Sequence, residues 1–152
     1  MITALLILHG LLAVALLGAI THQAFATKRR AKKPSFIARY RAVAAAGYAN
    51  AIVVLFIVTT IAGALLYPQY RLDIRPTLED LDLRAANGVF EIKEHLGAIG
   101  LGLLPAYWFF WRQPLSAEGL IARRYLTWLL AFIVWWNFLV GHILNNIRGF
   151  FQ

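Results

Sequence analysis

Six residues of this 152-residue chain carry the side chains most suited to chemistry: His9, His22, His95 and His142, with the carboxylates Glu91 and Glu94. Three of them fall in one stretch, FEIKEHLGAIGLGLLPAYWFFW, from Phe90 to Trp111. Glu91 and His95 lie four residues apart and share one helical face, with Glu94 about 100° round from His95. Gly97, Ala98, Gly100 and Gly102 follow, and a run this small admits either a closely packed helix or a flat cofactor. Imidazole is an axial ligand of haem iron, and imidazole with carboxylate also suits copper, zinc or iron without porphyrin.

The elements that must position these groups are membrane spans. With 61% hydrophobic residues and a mean hydropathy of +0.64, the chain is too apolar for an ordinary soluble domain. Four segments exceed the roughly 20 residues needed to cross a bilayer: residues 2–26, 42–67, 89–111 and 121–147. Together they form a single membrane domain spanning residues 1–152. There is no cysteine, which excludes disulfides, thiolate-held clusters and covalent attachment of haem.

Charge sets the orientation. The segment after the first span carries Lys28, Arg29, Arg30, Lys32, Lys33, Arg39 and Arg41 and no acid, and Arg112, Arg123 and Arg124 flank the loop before the fourth span. By the positive-inside rule both loops are cytoplasmic. The first span is expected to be retained rather than cleaved, because its basic cluster follows it instead of preceding it. Pro68 and Pro76 are expected to stop regular structure, and Thr77, Leu78, Leu81 and Leu83 predict a short amphipathic helix on the outer surface. The fold expected is all-α, an up-down-up-down four-helix bundle with both termini outside. The net charge of +8 sits beside the spans, which assigns it to orientation and anionic headgroups and argues against nucleic acid as a partner.

At about 1.5 Å per residue, His9, His95 and His142 each lie ~9–11 Å below the outer end of their spans. His22 is 13 residues from His9, roughly 20 Å deeper and about 220° round the helix. It is read as interfacial. In a bundle of sequential neighbours the first and third helices are diagonal, so a haem between them takes His9 and His95 as its preferred axial pair. His142 is the third candidate, as a replacement ligand, a propionate partner or part of a quinone pocket shaped by Phe138, Asn145 and Asn146. Arg148, Arg71, Arg75 and Lys93 are placed to neutralise propionates. Glu91 and Glu94 are the acid–base candidates should quinol be oxidised at the pocket mouth.

A small four-span protein with histidines at matched depth resembles the b-type membrane cytochromes of the cytochrome b561 kind, and the opening LHGLLAVALLG is similar to the first span of CopD-like copper proteins. The resemblance implies electron transfer in a bacterial inner membrane. The 13-residue spacing of His9 and His22 and the histidine-free second span depart from two-haem members, so one non-covalent haem b near the periplasmic side is expected. An electron-transfer partner on the outer side, or a parent respiratory or photosynthetic complex, is expected with it. Two readings stand beside this one: a copper, zinc or iron site built from His9, His95, His142 and a glutamate, and a cofactor-free accessory subunit.

Overall fold

The computed structural model describes residues 2–27, 47–114 and 116–150, with side chains as far as residue 146. The basic cluster from Lys28 to Arg41 and residues 42–46 of the expected second span lie outside the described residues. Helix α1 runs Ile2–Ala26 and α2 Tyr48–Gln69; a π-helical segment, Tyr70–Ile74, continues α2 into the short α3, Arg75–Asp80. Helix α4 runs Arg84–Arg112 and α5 Ala117–Phe150. Three helical stretches are long and apolar enough to cross a membrane: Ile2–Ala26, Tyr48–Asp80 and Ala117–Asn146. Helix α4 is not among them, since its opening turns carry Arg84, Asn87, Glu91, Lys93, Glu94 and His95 and it ends in tyrosine, tryptophan and arginine.

The four long helices close a ring in which α1 packs on α2 and α5, and α4 packs on α5 and α2. Helical periodicity selects the inward faces: Leu16, Ile20 and Ala24 from α1; Ile52 and Phe56 from α2; Leu104, Tyr107 and Trp111 from α4; Leu130, Ile133 and Val134 from α5. Gly100 fixes how closely α4 approaches, because a Cβ there would stand 2.5 Å from Phe56 Cζ and 3.2 Å from Ile133 Cγ2.

Between apolar helices the hydrophobic drive is weak in lipid, so packing and interhelical hydrogen bonds set the arrangement. Aromatic donors supply four of these bonds. Tyr107 Oη donates to Gln23 Oε1 across the core at 2.8 Å, and Trp111 Nε1 to Thr127 Oγ1 at 3.0 Å. Trp108 Nε1 donates to Asn50 Oδ1 at 2.8 Å and Trp135 Nε1 to Thr21 Oγ1 at 3.0 Å. These aromatic bonds pin every side of the ring except α1–α2, which His9 Nδ1 links through the Thr59 carbonyl at 3.1 Å, and Tyr107–Gln23 spans the diagonal.

The prolines do not stop the helix as expected. Pro68 lies inside α2, and Pro76 falls in the first turn of α3. A proline removes one N–H donor, and the chain compensates by widening to the π turn, where the Arg75 N–H reaches the Tyr70 carbonyl. Thr77 Oγ1 also donates to the Asp73 carbonyl, one turn back, at 2.9 Å. The real stop is at Asp82, in the left-handed region with φ 57°. The Asp82 N–H bonds the Glu79 carbonyl and the Leu83 N–H the Leu78 carbonyl, a Schellman closure.

Candidate functional site

His9 lies on the same stripe of α1 as Leu16 and Ile20, seven and eleven residues on, and so faces the core. Its ring is half-buried, with Nδ1 3.1 Å from the Thr59 carbonyl of α2. Gly63, one turn along α2, makes room for it: a Cβ there would come within 3.2 Å of His9 Cε1. Lys93 and Glu94 of α4 are close enough to act electrostatically on the ring. Lys93 also turns inward, only 17% exposed, with Nζ 2.6 Å from Glu94 Oε1 and 5.0 Å from the Phe90 ring centroid.

Glycines wall this layer on three helices. A Cβ on Gly97 would meet Asn137 Oδ1 at 3.6 Å, and one on Gly141 would meet Lys93 Cε at 3.7 Å. Asn137 Nδ2 donates to the Ile133 carbonyl of its own helix at 2.7 Å. Among the described residues the buried Thr59 hydroxyl has no hydrogen-bond partner. Sequence reasoning did not single out Asn137. Its signal was a lone amide in an apolar run, one turn before Gly141.

His95 stands elsewhere. It lies about 200° round α4 from Lys93 and from Gly97 and about 140° from Gly100, so it projects away from the core. The ring is exposed, and Nδ1 lies 2.7 Å from the carbonyl of Glu91 one turn earlier. Ala98, Gly102 and Ala106 continue that exposed face at helical spacing, and a Cβ on Gly102 would meet nothing within 4 Å.

The remaining predicted residues are spread over the same end of the bundle. Glu91 is exposed, with Oε1 3.6 Å from Arg75 Nη1, and the same guanidinium holds Glu79 at 2.7 Å. Tyr70 stacks on Phe90 at 3.6 Å between centroids and donates to Asn87 Oδ1 at 2.8 Å, which ties the π segment to α4. His142 is exposed on α5, its ring parallel to Phe138 at 6.3 Å and its Nε2 3.3 Å from Asn146 Nδ2. Arg148 belongs to the last turns of α5, and its side chain lies outside the described residues. His22 is buried far from this layer, 4.9 Å from the Tyr48 ring.

The structure therefore turns the half-buried His9 and the stem of Lys93 inward, leaves Glu94 exposed beside Lys93, and sets His95 on the opposite face of α4 from Lys93. Among the described residues no group of three or more histidine, aspartate or glutamate side chains is placed to hold a metal ion. No family model, curated protein or solved structure matches the chain.

Proposed function

We propose that the chain is a multi-pass subunit of an electron-transfer complex in a bacterial plasma membrane, with α4 taken as a fourth crossing and both termini therefore outside, that gives one axial imidazole to a single haem b near the outer side. The ligand on this reading is His95. One observation carries it: the Nδ1–H of the exposed His95 ring donates to the Glu91 carbonyl at 2.7 Å, which places the proton on Nδ1 and leaves the Nε2 lone pair to ligate. Iron-ligating imidazoles are oriented by such a bond. The exposed Ala98 and Gly102 support the fit, since they leave the face below the ring flat and open to a macrocycle.

His9 has the same tautomer-fixing contact, to Thr59, yet it faces the core while His95 faces out. The two do not fit one porphyrin within a single chain, so the second ligand on this reading comes from a neighbouring chain. When bound, haem supplies a one-electron centre. The chain's own residues position the imidazole, and the exposed Glu91 and Glu94 are the groups that would exchange protons with a quinol at that face.

The same face favours a second reading, a cofactor-free accessory subunit. Ionisable side chains facing lipid are expensive, and a partner helix seated on Ala98, Gly102 and Ala106 would cover His95. Affinity purification in mild detergent, with haem extraction, metal analysis and native mass spectrometry, separates the readings. The proposal expects about one haem b per binding face together with a second subunit. Stoichiometric metal without porphyrin would favour a bare copper, zinc or iron site, and a colourless stoichiometric complex would leave the accessory role.

A further inference from the structure

The α2–α4 side of the ring is open toward the inner end. Val53 and Ile57 of α2 and Leu101, Leu104, Pro105 and Trp108 of α4 line an apolar groove of about 360 Å³. That is the low end of the ~300–1,000 Å³ typical of small-molecule sites. Pro105 has no N–H to return to the Leu101 carbonyl, so the backbone is less tightly closed where the groove lies.

The end of the groove is polar in a specific way. Trp108 directs its indole N–H to Asn50, and the Arg112 guanidinium lies over the same indole ring, with Cζ 5.7 Å from the centroid. Arg112 is exposed, and among the described residues no carboxylate pairs with it. A hydrocarbon slot ending in a tryptophan and an unneutralised arginine matches an amphiphile with an anionic head and an apolar tail. Charge decides among the apolar occupants: a quinone tail or a plain hydrophobic helix leaves the guanidinium uncompensated, whereas a phosphodiester accepts two of its hydrogen bonds.

We propose that this groove holds one acyl chain of an anionic phospholipid of the inner leaflet, with the phosphate bound by Arg112. The inference rests on the membrane orientation given above and is independent of the haem, so its failure leaves the role of His95 standing. The lipid would fill the gap between α2 and α4 beside the Trp108–Asn50 bond.

The test uses the full chain in detergent micelles doped with phosphatidylglycerol or with phosphatidylcholine, and native mass spectrometry to count retained lipid. One phosphatidylglycerol per chain is expected to survive where phosphatidylcholine does not. Arg112→Gln should weaken that retention about tenfold, the effect of one charge-assisted hydrogen bond. Ile57→Trp, which fills the groove from α2, should abolish it, while Arg124→Gln, an exposed inner-side arginine outside the groove, should leave it intact. Equal retention of the two lipids, or unchanged retention in Arg112→Gln, would overturn the proposal. Arg112 is exposed and its replacement leaves the core intact, so that variant decides the matter even if Ile57→Trp does not fold.

Discussion

Replacing Gly100 by alanine tests the packing that sets the bundle. Two effects oppose each other. Alanine in mid-helix gains about 0.5–1 kcal/mol over glycine. Against this, the new methyl would stand 2.5 Å from Phe56 Cζ and 3.2 Å from Ile133 Cγ2, with Phe56 only 5% and Ile133 1% exposed. A ring so enclosed cannot swing aside freely, and overpacking of this kind costs about 1–3 kcal/mol. The net expectation is a loss of about 1–2 kcal/mol, or a 5- to 30-fold fall in the folded-to-unfolded ratio. Phe56→Leu removes the ring edge that the methyl strikes, so the double variant should be less destabilised than the sum of the singles by about 0.5–3 kcal/mol. Equilibrium unfolding in mixed micelles, followed by tryptophan fluorescence, measures all three. A Gly100→Ala protein more stable than wild type, or strict additivity with Phe56→Leu, would refute the close approach of α4 to α2.

Tyr107→Phe should cost about 1–3 kcal/mol in the same assay, because it deletes the buried bond to Gln23 that spans the α1–α4 diagonal. A loss under a few tenths would show that the diagonal is held by packing alone. Arg75→Ala should leave stability nearly unchanged, since its partners Glu79 and Glu91 are 50% and 58% exposed and screened by solvent. Any small loss should shrink further in high salt, and a salt-independent loss would contradict an exposed pair.

Segment positions were legible because apolar length is a strong signal. The expected 2–26 matches α1, Ile2–Ala26, and 121–147 falls inside α5, Ala117–Phe150. The contacts between helices agree with the expected ring of sequential neighbours. The faces of α4 were not legible. Depth along a helix follows from residue count, but direction needs to know which side meets the core, and both sides of α4 hold a mixture of small, polar and apolar residues. Lys93 and His95 cannot both face inward. The seat of Gly100 against Phe56 turns Lys93 in, where its long stem packs beside Gly141, and leaves His95 outside. A lysine reads from sequence as the more exposed of the two, yet its aliphatic stem makes it the better space-filler in a glycine-walled layer. The continuity of the helix through Pro68 was hidden for a similar reason, since the compensating π turn depends on backbone donors several residues away.

On the proposed reading, the outward imidazole of His95 ligates haem iron. The direct measurement is the dithionite-reduced minus oxidised visible spectrum of membranes carrying the wild-type chain, His95→Ala, His9→Ala or His142→Ala at matched protein levels. Haem ligation by His95 predicts a sharp b-type α band that disappears in His95→Ala and persists in His142→Ala. A spectrum without that band in wild type, or a band unchanged by His95→Ala and lost instead with His9, would contradict it.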